Sequence, residues 1–340
     1  MAQFKGALRQ PIREALVIVG WRKLITVVMA THNGSDTIGQ TLEALVRTES
    51  PPGGWRLVIV NNASSDSTAA IIEHWKERLP IVLLTEDRLG KNRALNTGLS
   101  VIRDEFVVLC DDDVLPDPDW LLEWRRVADA YPEIGIFGGA IIPKFQIPPP
   151  EYCLKNHDTM AAMWSATRPD RPEGIKADDP VWDVYGCNMA MCADVARNFR
   201  FDEDFMVGPD AFLGDESDFV RRVARAGYKV GFAPTARVHH VVGCEQVRWK
   251  WMLRRFFRSG KSHSFIELKE QPLSVPSLFG APRFLIRQFL AHVPATLVAI
   301  FVASRAAMFA QMKILAFDFG RIYQARVMAK ERGRPRQVCG

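Results

Sequence analysis

Apolar positions along the chain fall into short unbroken runs that alternate with helically spaced ones. Residues 24–31, LITVVMAT, form a β-branched run that stops at the turn signal HNGSD, after which Ile38, Leu42 and Leu45 recur at helical spacing. The unit repeats. RLVIV at 56–60 reads as a strand, followed by a polar loop and a helix from Ser67 with Ile71, Ile72 and Trp75 on one face. IVLLTED is a third strand, GKNRALNTGLSVI a helix and EFVVLCDDD a fourth strand. Continuous apolar strands alternating with helices predict an α/β fold, a mostly parallel sheet flanked by helices on both faces. Ligands of such sheets bind at the carboxyl ends of the strands. Here those ends are polar: Thr31-His32-Asn33, Asn61-Asn62, Glu86-Asp87 and Asp111-Asp112-Asp113.

After Pro143 the periodicity lapses through a stretch rich in proline and charge, which reads as a loop region with the character of a lid. Order resumes at VWDVYGCNMAMCADVARNF, and from about Glu245 the chain turns basic and helical. No internal repeat or low-complexity tract interrupts it.

Composition narrows the picture. At 340 residues and 48% hydrophobic the chain can bury a full core. Its six cysteines show no CxxC pair, which argues against a disulfide framework or structural zinc and suits a reducing, cytoplasmic setting. The stretch before Lys23 carries Arg13 and Glu14 and no small-residue cleavage site, unlike a secretory signal. The net charge of +5 is unevenly spread: residues 245–340 hold 17 Lys and Arg against 5 Asp and Glu. That basic region surrounds seventeen uncharged residues between Arg287 and Arg305, interrupted by Pro294 and short of the ~20 a spanning helix needs. Two readings stand: contact with an anionic membrane surface, in-plane or re-entrant, or a buried helical hairpin on the catalytic domain. Nucleic acid is not expected.

Three consecutive aspartates, Asp111, Asp112 and Asp113, repel one another unless a positive charge sits among them. A divalent cation would serve, and a solvated acidic turn before Pro116 is the alternative.

Seven segments then occur in a telling order: VVMATHNGSDTIGQTLEAL, VIVNNASSDST, LGKNRALNTGL, VVLCDDDV, GCNMAM, GDESDFVRRVARAGYKVGFAP and ARVHHVV. From about Ile25 to Gly260 the chain resembles a family 2 glycosyltransferase with the GT-A fold. The resemblance implies a metal-dependent inverting enzyme that moves a sugar from a nucleoside-diphosphate sugar to a glycan or polyprenyl-linked acceptor, in cell-surface polysaccharide or glycoconjugate biosynthesis. It also implies an N-terminal extension (1–23) and a GT-A domain (24–244) with a nucleotide-sugar half (about 24–143) and an acceptor half (about 144–244). A basic helical C-terminal region (245–340) would then rest peripherally on the cytoplasmic face of the membrane.

By the same resemblance VVLCDDDV is the DxD motif. Asp113 would be the firmer ligand of Mg²⁺ or Mn²⁺, Asp111 would meet metal or ribose, and Asp112, grouped with the nucleotide side, would be the one to tolerate replacement. GDESD would supply the base that takes the acceptor's proton. The family usually reads Glu-Asp with the second residue as base; here the order is Asp-Glu, so Glu216 matches and Asp215 is the alternative. Asp218 suits helix capping ahead of Arg221 and Arg222. His240 would complete the metal or diphosphate site, or be an ordinary partly buried histidine. Asn61 stands where the family commonly has an aspartate reading uracil, so a UDP-sugar is favoured. Thr31, Asn33, Asp66, Lys91 and Arg93 would line the same pocket, Lys91 on the diphosphate at a helix start.

On the acceptor side Trp182 and Tyr185 are stacking platforms or core, and Asn188 is a hydrogen-bonding partner. QVRW at 246–249 is one residue too short for the Q-x-x-R-W of processive relatives, which disfavours a processive synthase. Arg254, Arg255 and Arg258 would bind phosphate of donor or lipid, or continue the basic face. Two competitors remain. A sugar-phosphate nucleotidyltransferase would need a Gly-rich phosphate loop that THNGSD does not supply, and a catalytically silent binding partner would explain Asn61 and the inverted Asp215-Glu216.

Overall fold

The computed structural model describes residues 24–103, 106–155, 160, 162–168, 170–176, 179–181, 183–205, 212–270 and 275–332. The expected extension 1–23 and the acceptor candidate Trp182 lie outside the described residues.

Strands β1 (Ile25–Thr31), β2 (Trp55–Asn62), β3 (Ile81–Glu86) and β4 (Phe106–Cys110) run parallel, connected through helices α1 (Ile38–Val46), α2 (Thr68–Trp75) and α3 (Lys91–Ser100). Their unbroken apolar character follows from burial on both sides. In β1, Ile25, Val27 and Met29 enter one core and Val28 the other; in β4, Phe106 and Val108 are divided from Val107 and Leu109 in the same way. Register brings the polar ends level, with Thr31 beside Asn61 and Asn62 beside Glu86. The fourth strand stops at Cys110, so the aspartates that the sequence suggested would end it lie in the loop beyond. Adjacent carboxylates are poor strand formers.

The chain continues through β5 (Val114–Pro116), α4 (Trp120–Ala130) and β6 (Ile134–Phe145), then α5 (Glu151–Leu154), β7 (Gly174–Ile175), β8 (Asn188–Met191), α6 (Ala193–Asn198), α7 (Asp215–Arg225) and β9 (Lys229–Val242). Among the described residues these strands form one sheet in the order β3-β2-β1-β4-β8-β6-β9-β5, with β7 on β9. α4 packs through Trp124, whose ring meets Phe106 at 6.3 Å and Phe137 at 6.4 Å. β6 does not lapse at Pro143; it runs on beside β9 until Phe145 faces Val242. β8 runs antiparallel between β4 and β6, with Asn188 opposite Cys110. The start of β8 therefore reaches the rim where β4 ends.

Three long helices follow: α8 (Trp249–Glu270), α9 (Arg283–Val302) and α10 (Arg305–Arg332). α8 and α10 cross with glycine against backbone. A Cβ on Gly260 would sit 1.9 Å from the Phe317 carbonyl oxygen, and one on Gly320 would sit 2.0 Å from that of Phe257. α9 joins α10 through His292 and the buried Asp318, 2.7 Å apart. The buried-hairpin reading of 288–304 does not fit α9, whose Leu290, Leu297, Val298, Ile300 and Phe301 are exposed, Phe301 at 83%. One continuous helix includes Pro294, and over Arg283–Phe301 it is long and apolar enough to cross a membrane by length and composition.

Candidate active site

A cavity of about 490 Å³ opens at the carboxyl rim of the sheet. The loop after β4 contributes Asp111 and Asp113, the start of α3 contributes Lys91, the approach to β8 contributes Tyr185, Gly186 and Cys187, and α7 contributes Asp215 and Glu216. His240 enters from β9, Ala162, Met163 and Ser165 from the segment expected to be a lid, and Arg255, Arg258 and Ser259 from α8. Residues far apart in sequence thus share one space, with Lys91 between two acidic walls. Its Nζ is 3.0 Å from Asp111 and 3.6 Å from Glu216. Burial works against the lysine's charge, but Asp111, Glu216 and Asp215 outweigh it and raise its pKa well above the ordinary value.

The two members of the acidic pair on α7 differ. Burial, and then the neighbouring Glu216, push the Asp215 pKa well above the usual carboxylate range. Burial also works against the charge on Glu216, yet Lys91 and the Asp215 hydrogen bond overcome it and bring its pKa below normal. Gly186 makes room for Glu216, since a Cβ there would lie 2.6 Å from Glu216 Oε1.

On the opposite wall His240 Nδ1 lies 2.8 Å from the Trp164 carbonyl oxygen and Nε2 lies 3.3 Å from Asp113 Oδ2. With Nδ1–H donated to the carbonyl, neutral Nε2 and the carboxylate would be two acceptors face to face. A proton or a metal cation must lie between them. Burial disfavours charge on both groups, but each favours the other's: the Asp113 pKa falls and that of His240 rises. Asp113 is held by backbone too, its carbonyl accepting from Val241 at 3.0 Å, while its Oδ1 is buried without a partner. An oxygen and an imidazole nitrogen, with the far side of the ring anchored by a carbonyl, suit Mg²⁺ or Mn²⁺. Among the described residues no three His, Cys, Asp or Glu side chains gather into a complete metal site. Asp111 is pushed up by burial, with Lys91 opposing and Asp113 adding to the rise.

Other residues singled out from the sequence sit differently. Asp112 turns to the first loop, accepts a hydrogen bond from Thr31 and packs against Gly34, where a Cβ would come within 2.3 Å. Burial pushes it up to about 6 against the Thr31 bond. It links two loops, which runs against the expectation that it tolerates replacement. Asn33, at φ 51°, accepts from the Ser65 amide at 2.8 Å. Asp66 accepts from the Ser35 and Thr68 amides, and its bond to the Thr68 side chain is the main influence holding it well below the carboxylate range. These residues build the rim beside the cavity rather than its lining. Asn61 lies on that rim with a buried, unpartnered Oδ1, whereas Asn62 spends its side chain on the Glu86 and Arg88 carbonyls and the Gly90 amide.

Three placements correct the sequence reading. Arg93 points to the Leu89 carbonyl and Glu203, because two positions along a helix from Lys91 is a different face. Asn188 is fully buried, bonded to Ala140, Ala236 and Trp120, and offers nothing to an acceptor. Asp218 does not cap its helix; it pairs with Arg222 at 2.8 Å one turn on, and Gly214 at φ 88° takes the cap position. Tyr185 does line the cavity, and burial raises its hydroxyl pKa. Gly186, absent from the sequence candidates, had one signal: a glycine immediately before the buried CNMAM strand.

The glycosyl transferase family 2 model matches residues 26–199, half of the chain. The chain belongs to glycosyl transferase family 2. Among its relatives, the probable glycosyltransferase YdaM of Bacillus subtilis (strain 168) is 24% identical over 72% of this chain and 56% of its own length. Glycosyltransferase AglE of Haloferax volcanii is 24% identical over 79% of this chain and 82% of its own. The succinoglycan biosynthesis protein ExoM of Rhizobium meliloti is 23% identical over 66% and 70%. In structure the family 2 chain is similar to the mannosyltransferase PcManGT from Pyrobaculum calidifontis in complex with GDP-Man and Mn²⁺, with TM-score 0.56, 20% identity and coverage of 88% and 87%. It is also similar to S. aureus TarS 1-349 in complex with UDP, with TM-score 0.52, 13% identity and coverage of 92% and 93%. The GT-A fold is common to all three.

Proposed function

We infer that this family 2 glycosyltransferase is a metal-dependent inverting enzyme acting from a nucleoside-diphosphate sugar, with Glu216 as its base. The observation that carries this reading is one cavity lined by Glu216, Lys91, Asp111, Asp113 and His240, with Lys91 paired to both Asp111 and Glu216. Glu216 takes the proton of an acceptor hydroxyl as that oxygen bonds to the anomeric carbon, and the bond from that carbon to the diphosphate breaks, releasing the nucleoside diphosphate. Asp215 shares a hydrogen bond with Glu216 that holds its carboxylate in place, and Lys91 balances charge between the walls. Asp113 and His240 would hold Mg²⁺ or Mn²⁺, which when bound supplies positive charge to the leaving diphosphate. Asn61 Oδ1 is the atom offered to the base, with a UDP-sugar favoured; complexes of similar structures hold either GDP-Man or UDP.

A growing glycan on a polyprenyl carrier is the acceptor class we favour, in polysaccharide or glycoconjugate synthesis, as the name of the relative ExoM suggests. The basic C-terminal region and the exposed face of α9 support a peripheral position on an anionic cytoplasmic membrane surface. Flotation with anionic liposomes tests that placement, and a protein that stays unbound would remove it. For the chemistry, Mn²⁺-dependent turnover is measured over a panel of nucleotide sugars for wild type, Asp113→Ala and Glu216→Gln. Both variants should lose at least about 100-fold while remaining folded. Equal rates in all three proteins would sink the mechanism.

A further inference from the structure

One buried carboxylate outside the cavity joins two stretches of chain that the transfer chemistry depends on. Asp183 is 3% exposed and holds a left-handed backbone at φ 58°, a conformation that side chains other than glycine seldom adopt. Its carbonyl oxygen is pressed against β6, where a Cβ on Gly138 would stand 2.2 Å away. Its carboxylate accepts from the Arg168 amide at 3.1 Å, from Arg168 Nε at 2.9 Å and from Arg171 Nε. The Arg171 side chain is itself buried, its guanidinium 5.8 Å from the ring of Phe232 on β9. Such a backbone persists only where its surroundings over-determine it, and here two arginines and a glycine do so. A buried ion pair gains little over apolar side chains of the same volume, so stability alone is a weak reason for this one.

The two stretches end on opposite walls of the cavity. Arg168 follows Trp164 by four residues, and the Trp164 carbonyl is the acceptor that anchors His240 Nδ1 at 2.8 Å. Between them Ser165, at φ 57°, lines the cavity, and Thr167 ties the stretch to β6, its hydroxyl accepting from the Ile141 amide at 2.9 Å. On the other side Asp183 precedes Tyr185 and Gly186, and Gly186 is the residue whose missing side chain leaves room for Glu216. Asp183 therefore stands three residues before the glycine that faces the base, and it grips the chain four residues after the carbonyl that faces His240.

We propose that Asp183 is a positioning residue for the transfer reaction, fixing at once the Trp164 carbonyl behind His240 and the Tyr185-Gly186 turn against Glu216. This rests on the glycosyl-transfer reading above. It gives a double signature that a residue acting on one wall would not. The test compares full-length wild type and variants in three readouts, all below the melting transition: melting temperature, Mn²⁺ affinity followed by electron paramagnetic resonance with the metal alone, and kcat at saturating Mn²⁺ and nucleotide sugar. Asp183→Asn keeps the size and tolerates the left-handed backbone but gives up the charge that the arginines hold. It should weaken Mn²⁺ about tenfold, as loss of support behind a ligating histidine does, and should still lower kcat about tenfold once Mn²⁺ is saturating. Asp183→Asn combined with Arg171→Gln removes a buried unpaired charge together with the carboxylate, and it should show both losses should the single variant fail to fold. Gly186→Ala, which acts on the base wall alone, should lower kcat and keep the Mn²⁺ affinity of wild type. Asp183 variants that melt lower but keep wild-type Mn²⁺ affinity and kcat overturn the proposal, because a purely structural residue behaves that way. Loss of one property without the other overturns it too, since it would confine Asp183 to one wall. Wild type that binds Mn²⁺ but turns over no nucleotide sugar would count against the transfer reading instead, and an unchanged Mn²⁺ affinity in Asp183→Asn would still remove the link to His240.

Discussion

Glu216 Oε1 lies 2.6 Å from where a Cβ on Gly186 would stand, so the glycine and the carboxylate share one contact. An alanine at 186 must move the carboxylate or the backbone. Gly186→Ala should therefore lower kcat by roughly 10–100-fold, because misplacing a reacting group by about 1 Å costs that much. Nucleoside-diphosphate affinity, read by calorimetry, should stay within about twofold. Unchanged kcat would mean that the position of Glu216 does not govern the reaction.

Asn61 and Asn62 are adjacent on β2 yet have opposite duties, since consecutive strand residues face opposite sides of the sheet. Asn62→Ala strands two carbonyls and an amide and should cost about 1–3 kcal/mol, seen as a lower melting temperature. Asn61→Ala removes an oxygen with no protein partner, so melting should hold while nucleotide affinity falls about tenfold. The reverse pattern would exclude Asn61 from base recognition.

Gly260 and Gly320 let α8 and α10 approach backbone to backbone. Alanine at either position should destabilise by about 1–3 kcal/mol through overpacking. The double variant should cost less than the two losses added, because the first alanine already parts the helices. Thermal melts of the three proteins check this, and full additivity would show two independent contacts.

Glu86 has its pKa lowered to about 2, chiefly by the Arg88 side chain, then the Arg88 amide and Thr97. A carboxylate held below its ordinary 4.5 stabilises the fold fully above that pH and loses the effect as pH falls toward 2, since the unfolded chain takes up the proton first. Arg88 is largely open to solvent, which limits the contribution to about 1 kcal/mol. Wild type should melt above Glu86→Gln at neutral pH, and the gap should close between pH 4.5 and 2. A constant gap would place the cause elsewhere than in ionisation.

How much of this was legible beforehand depended on whether a backbone or a side chain carried the information. The first four strands and their polar ends could be read because β1 and β4 are apolar on both faces, a pattern that one-sided burial does not produce. Asp113, Glu216 and His240 were brought together only by the resemblance to family 2 glycosyltransferases, since no local pattern gives the place of GDESD or ARVHHVV in the sheet. Side-chain direction was not readable: Lys91 and Arg93 are two residues apart, and only the helix phase sends one to the cavity and the other to Glu203. Asn188 and Gly186 depended on the antiparallel insertion of β8, a long-range pairing with no local signature. The length of α9 was missed because charge at Arg287 and Pro294 was taken to interrupt it, while the helix accommodates both.

The mixed directions of the sheet crowd the chemistry onto one rim and leave the other chemically idle. Connections 47–54, 76–80 and 226–228 turn at that idle rim, separated from the cavity by the length of a strand, roughly 20–25 Å. Glu77 is exposed there, and four of the described cysteines, Cys110, Cys153, Cys187 and Cys192, are buried. A dye attached through Glu77→Cys, with the half-buried Cys244 and with Cys339 changed to serine, would ride on the rigid sheet without touching the site. Its height above a labelled bilayer would report which way the catalytic rim faces.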